Sequence, residues 1–403
     1  MWLGTIALTF WICHTMLRPL IGPYGQGLGL TPTAIGVVIG IQAVPAVLFA
    51  IPLGARLDRS GARTILTGGA ALMLLGGGAM VVARDVTTLV TAQIILGFGT
   101  LGVWLTIQSL VTFAGRDPRH RSRSIANYSV CIVTGQLLGP LIGGAIADVF
   151  GYVASFAVFS AVCVGLLAAA FARYPDRDFA APPAPSPTTP VTTATGPVGD
   201  TERRSSSHRD AVRLLRERGV LLTVVVSFLA LFLIDLRMSF VPVFLQDIGW
   251  SPGLIGVLLS TSSACALLAR PVFPALVARF NSATVVALCL LPGACALGLL
   301  AFTSSIGGLF VLAAIAGVSL GLAQPLTLSL TAEFTGPTQR GLAVALRVMS
   351  NRLALWLSPM MFGLLVTAIG IQAAFLVGTA GLAVIAAGVA WRFRRLREPH
   401  AAS

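Results

Sequence analysis

The sequence predicts an all-α membrane protein with twelve transmembrane helices in two pseudo-symmetric six-helix bundles. Three observations carry this. Of the 403 residues, 56% are hydrophobic and 10% charged, against the roughly 25% charge of soluble domains. Apolar stretches of about 20 residues, each able to cross ~30 Å of hydrocarbon as a helix, recur twelve times. The chain also repeats itself: shifted by 219 or 220 positions, Arg18 falls on Arg237, Pro23 on Pro242, Gly29 on Gly249 and Pro32 on Pro252. At the same offset Gly97 meets Gly317, Arg121 meets Arg340, Pro140 meets Pro359 and Gly144 meets Gly363. Chance matches scatter over many offsets, whereas these keep one. Duplicated membrane halves pack about a pseudo-two-fold axis with a cavity between them, and their rocking gives alternating access. That points to a transporter.

The N-terminal bundle, residues 1–172, takes its spans at about 2–27, 33–54, 64–83, 87–112, 124–149 and 151–172. Span 1 carries His14 and Arg18, and span 4 carries Trp104 and Gln108 one helical turn apart. A tryptophan beside an amide suits a large planar solute, so this pair is predicted to line the cavity. Span 5 carries Gly135, Gly139, Gly143 and Gly144, with Pro140 among them. Small residues four apart let helix backbones approach closely in lipid, and a mid-span proline frees a carbonyl and bends the helix.

Residues 173–218 form the one long polar interruption. Its centre, 180–207, is rich in Pro, Ser, Thr and Ala and is predicted to be disordered. Its end sets Val212 and Leu215 against Arg209, Arg213 and Arg216, the pattern of a basic interfacial helix tethering the second bundle.

The C-terminal bundle, 219–392, takes spans at about 219–246, 252–272, 282–303, 306–333, 341–368 and 370–391, followed by a tail at 393–403. Span 7 carries Asp235, two residues before Arg237. An intramembrane ionisable group is a functional candidate by default. Asp235 reads either as a proton-titrating or substrate-contacting acid or as the partner of Arg18 or Arg237, because a charge stranded in hydrocarbon costs several kcal/mol. Arg18 and Arg237 hold equivalent places, from which they would face each other across the cavity or bond neighbouring carbonyls. In span 11, Arg352 stands about 18 Å along the helix from Arg340, too deep to reach the interface, and needs a partner, water or an anion. His14, which titrates near neutrality, is the alternative proton carrier.

The net charge of +13 does not indicate nucleic acid, given where it falls. All 27 basic residues are arginine, and with the N-terminus inside, 22 lie in cytoplasmic segments while Arg84 alone lies in an external loop. That asymmetry places both termini in the cytoplasm. Exclusive arginine with abundant Ala and Gly suggests a GC-rich bacterial genome, hence a bacterial inner membrane. Met1 enters span 1 directly, and no cleavable signal sequence is expected. The six cysteines fall in apolar spans and read as small core residues without disulfides. The four histidines are scattered, so no metal site is expected, and no cofactor.

The loop after span 2, Gly54-Ala55-Arg56-Leu57-Asp58-Arg59-Ser60-Gly61-Ala62-Arg63, resembles the G-x-L-A-D-R-x-G-R-R signature of the major facilitator superfamily. Gly54, Asp58, Arg59, Gly61 and Arg63 match it. Gly135, Gly139, Pro140, Gly143 and Gly144 resemble the G-x-x-x-G-P-x-x-G-G antiporter signature of the drug:proton branch. The resemblance implies the major facilitator fold and a cytoplasmic gate at Asp58. Asp58 has Ala278 as its repeat mate, so the latch would act on one side. In span 4, Gln93 stands where the family pattern has an arginine associated with proton coupling, which departs from the usual route.

These readings converge on a secondary active transporter. The leading expectation is a proton-coupled exporter of small organic molecules; the alternative is a proton-symport importer of an organic anion. A membrane sensor or scaffold would not need two motif-bearing halves. No G-x-x-x-x-G-K-[ST] loop supports ATP as the energy source, and no nucleophile, base and orienting acid share a face, so an enzyme is not expected. Four arginines against one aspartate inside the spans lean the cargo towards anions. One chain contains a full cavity, so a monomer suffices, with lipid, a small-molecule substrate and protons as partners.

Overall fold

The computed structural model describes residues 2–113, 118–172, 213–336 and 339–397, and no strand occurs among them. The first bundle holds α1 (Trp2–Gly27), α2 (Pro32–Ile41), α3 (Val44–Ser60), α4 (Ala62–Val82), α5 (Val86–Phe113), α6 (Pro118–Phe150) and α7 (Tyr152–Ala172). The second holds α8 (Arg218–Ser239), α9 (Val241–Asp247), α10 (Pro252–Ala269), a 3-10 turn (Arg270–Val272), α11 (Phe273–Arg279), α12 (Ser282–Leu300), α13 (Ile306–Glu333), α14 (Arg340–Ile369) and α15 (Ile371–Arg397). Among the described residues, eleven stretches are long and apolar enough to cross a membrane. The 26-residue α1 has the length for a twelfth; His14, Arg18 and Thr15 dilute its apolar character. The linker at 173–212 and the tail beyond Arg397 lie outside the described residues.

Two spans that the sequence reads as continuous are broken, and a third, read as ending at 272, turns there and continues. Gln42 and Ala43 separate α2 from α3, whose first turn carries Pro45. Phe240 separates α8 from α9, which opens with Pro242 in its first turn, and the 3-10 turn around Pro271 separates α10 from α11. Proline has no N–H to donate and clashes with the carbonyl four residues back, so each helix stops and restarts with proline where no donor is needed. At the other extreme, α15 runs through Arg392, Arg394 and Arg395 to Arg397. Arg395 lies 3.9 Å over the Trp391 ring, which keeps its charge at the helix end on an aromatic face.

The internal repeat is visible in the packing. A Cβ at Gly36 would meet the Pro359 carbonyl and the Gly363 Cα, and a Cβ at Gly256 would meet the Pro140 carbonyl and the Gly144 Cα. Gly36 and Gly256, Pro140 and Pro359, and Gly144 and Gly363 are repeat mates. One contact is therefore built twice, as α2 on α14 and as α6 on α10, and only glycine lets these backbones touch. The turns behave likewise: Gly29 and Gly249, also mates, carry φ of 76° and 87°, a region open to glycine.

Both crossings lie away from the face that carries the start of α1 and the end of α15. Hydrogen bonds add to them: the Thr33 and Thr367 hydroxyls are 2.8 Å apart, Tyr152 donates to Gln246 Oε1 at 2.7 Å, and Ser260 donates to the Leu137 carbonyl at 2.7 Å. These bonds, with those of Arg18 to Asp235, Gln26 to Asp247 and Gln246 to the Pro23 carbonyl, join the bundles between the level of Arg18 and this closed face. Towards the terminal face, α3 presents exposed Leu48, Phe49 and Ile51.

Candidate functional site

The first element of the site joins the two bundles. Arg18 of α1 donates from Nε to Asp235 Oδ1 of α8 at 2.7 Å, and its NH2 group pairs with the same oxygen. Arg18 NH1 also donates to Gln42 Oε1 at 3.3 Å, at the break between α2 and α3. Asp235 is 1% exposed and Arg18 12%. A carboxylate this buried persists as an anion only beside a cation, and here the cation belongs to the opposite bundle. Asp235 Oδ2 has no hydrogen-bond partner among the described residues.

The second element is aromatic and cationic. Arg352 of α14 sets its guanidinium 4.0 Å above the Trp104 ring of α5, again across the bundles. Tyr128 and His14 stand within electrostatic reach of Arg352, without a hydrogen bond to it among the described residues. Tyr128 accepts a hydrogen bond from Trp11 Nε1 at 3.3 Å. His14 stacks on Phe10, with centroids 5.8 Å apart and planes 13° apart, and meets the Trp11 ring edge-on at 5.7 Å. His14 Nδ1 is buried without a hydrogen-bond partner among the described residues. Gln108, one turn from Trp104 on the same helix face, is exposed.

Other predicted members stand elsewhere. Arg237 does not face Arg18: it is 7% exposed and donates from NH1 to Ser262 Oγ, inside the second bundle. Gln93 is fully buried against α4, with Nε2 3.5 Å from Met80 Sδ, so it meets neither element. In the gate loop, Gly61 turns the chain from α3 into α4 at φ 83°, and Arg63 donates to the Phe171 carbonyl at 2.9 Å. Gly54 is half-buried. The side chains of Asp58 and Arg59 lie outside the described residues.

The span 5 glycines serve two interfaces. A Cβ at Gly135, Gly139 or Gly143 would strike Trp11, Thr15 or Met16 of α1, while one at Gly144 would strike the Pro252 carbonyl of α10. Thr15 seals the first contact by donating to the Gly135 carbonyl at 2.6 Å. The motif thus sets the position of α1, and with it Trp11, His14 and Arg18.

Sequence reasoning missed Tyr128, Gln42 and Phe10 as site members. Tyr128 is one of only four tyrosines in the chain, and a polar aromatic inside an apolar span was the signal available. Gln42 offered only an amide inside an apolar span, and Phe10 offered none.

The family model of the Major Facilitator Superfamily matches residues 3–246 and 223–403. The multidrug resistance protein Stp of Mycobacterium tuberculosis (strain ATCC 25618 / H37Rv) is 24% identical over 379 residues, covering 80% of this chain and 69% of Stp. The inner membrane transport protein YajR of Escherichia coli (strain K12) is 24% identical over 145 residues, 35% of this chain; the match spans about a third of YajR, 31%. In fold, the chain is similar to a bacterial homolog of the human lysosomal transporter Spinster in an inward-facing, unoccupied conformation. The TM-score is 0.76 at 16% identity, covering 98% of this chain and 96% of that one.

Proposed function

This chain belongs to the Major Facilitator Superfamily, and from that premise we propose that it is a proton-coupled exporter of small organic molecules working by alternating access. The observation that carries the reading is the Arg18–Asp235 pair. It crosses between bundles that must move, and its acid is buried. Protonation of Asp235 frees Arg18 and removes the electrostatic tie, while deprotonation restores it. Coupling through this pair also accounts for Gln93, whose position in span 4 does without the arginine of the family pattern. Export is supported by the glycine motif of span 5 and by the similarity to a protein named for multidrug resistance. On the arginine count, both termini lie in the cytoplasm of a bacterium, and the bundles meet on the external side. On that orientation the closed face is the external one, and on this reading the path in this state faces inward. The gate role of Asp58 belongs to the same proposal: its carboxylate closes the cytoplasmic side in the outward state.

The test is accumulation of matched anionic and cationic fluorescent solutes in efflux-deficient bacteria expressing the chain, with and without a protonophore. Export predicts lowered accumulation that the protonophore restores. A second reading, import of an organic anion with protons, draws on Arg352, which carries no counter-charge among the described residues. It predicts raised accumulation that the protonophore abolishes.

A further inference from the structure

We infer that Arg352, Trp104 and Tyr128 form a recognition site for a planar organic anion, an aromatic ring bearing a carboxylate. The inference rests on the transport reading only in that the site faces the solute path.

Charge comes first. The described ion pair within the spans is Arg18–Asp235, and it consumes the buried carboxylate. Arg352 has no hydrogen-bond acceptor and no carboxylate among the described residues; its one close partner is the face of Trp104. A cation–π contact uses the flat face of a guanidinium and leaves its N–H edge free. That edge matches the two oxygens of a carboxylate. Arg352 is half-buried, and on the transport reading the solute path between the bundles runs past it. A cation there meets like charge with nothing to offset it.

Shape comes second. The guanidinium lies over Trp104, Tyr128 stands within its electrostatic reach, and Tyr128 is bonded to Trp11, whose ring meets His14 edge-on. Tyr128 accepts from Trp11, which leaves its own hydroxyl proton free to donate to an anion. A cluster of rings favours an aromatic body over a flexible chain. The arrangement also breaks the internal symmetry: the repeat mates of Arg352 and Trp104 are Val133 and Gln324. Residues that only hold the duplicated fold, such as Gly36 and Gly256, keep their mates, whereas this pair occurs once.

Isothermal calorimetry on the purified full-length chain, using 2-naphthoate, 2-naphthalenemethanol and 2-naphthylmethylammonium, tests the site. The acid should bind at least about tenfold more tightly than the alcohol, and the ammonium most weakly. Arg352→Gln should erase the preference for the acid while leaving alcohol affinity within about twofold, which also reports that the protein is folded. Trp104→Leu should weaken acid and alcohol alike. Should Arg352→Gln fail to fold, Arg352→Lys decides: losing the planar fork should lower acid affinity several-fold and spare the alcohol. Equal binding of acid and alcohol by the wild type, no binding of any probe, or an acid preference that survives these Arg352 changes overturns the site. Proteoliposomes separate this outcome from the exporter reading. Arg352-dependent naphthoate binding without proton-driven movement keeps the site and removes the exporter. Proton-driven efflux of another solute without naphthoate binding does the reverse.

Discussion

Arg18, on the first helix of one bundle, holds Asp235, on the first helix of the other, with Nε 2.7 Å from Oδ1. The pair bridges the two halves at the level where their tight packing ends. Protonation of the acid would remove the charge–charge attraction and leave only a hydrogen bond, which on the proposed mechanism lets the pair yield in each cycle.

Replacing one partner leaves the other charge buried. Asp235→Asn should destabilise the protein by about 3–5 kcal/mol and flatten the pH dependence of transport. The double variant Arg18→Gln with Asp235→Asn should recover most of the thermal stability but none of the pH dependence. Melting curves and vesicle transport at several pH values check both; a retained pH profile in Asp235→Asn moves the proton to His14.

The closed face can be locked. The Thr33 and Thr367 hydroxyls lie 2.8 Å apart across the bundles, close enough for a cysteine pair to meet the geometry of a disulfide. Thr33→Cys with Thr367→Cys should cross-link under mild oxidation, stop transport and recover on reduction. The wild type should be indifferent to both reagents, and a cross-linked protein that still turns over would show that this face never opens.

Gly36 should tolerate no side chain. Its missing Cβ is where the Pro359 carbonyl sits, and backbone cannot rotate aside as a side chain can. Gly36→Val should lower Tm and at least halve transport, and Gly256→Val, at the mate position, should do the same to a similar extent. Different costs at the two sites, measured by thermal melts, would mean that the two crossings bear unequal load.

Gln93 is packed, not poised. Because it sits fully buried against Met80, Gln93→Met should keep transport within about twofold, as volume-conserving swaps do. Gln93→Arg should lower the yield of folded protein rather than alter coupling, because it buries a charge without an acid. A changed coupling ratio in folded Gln93→Met would restore a functional role for this position.

At the loop after α3, Asp58→Asn should slow turnover while leaving solute affinity unchanged. Transport rates and equilibrium binding, measured on the same preparation, separate the two; an unchanged rate removes the gate.

Twelve spans, two related bundles and the superfamily were legible in the residues, because hydrocarbon thickness, repeat offset and loop signatures are all properties of the linear chain. So were the glycines of span 5 and the place of Asp235 as an acid within a span. Partnership was not legible. Asp235 had two arginines within reach of argument, and only the crossing of α1 and α8 chose Arg18, while Arg237 turned to Ser262. Gln93 and Trp104 lie on the same helix, yet the roll of α5 buries one against α4 and turns the other towards Arg352 of the second bundle. Spans are decided locally, by the free energy of moving a segment from water into lipid. Which side chains meet between helices depends on crossing angles and rotations set by residues hundreds of positions apart, and that information exists only once the two halves have packed.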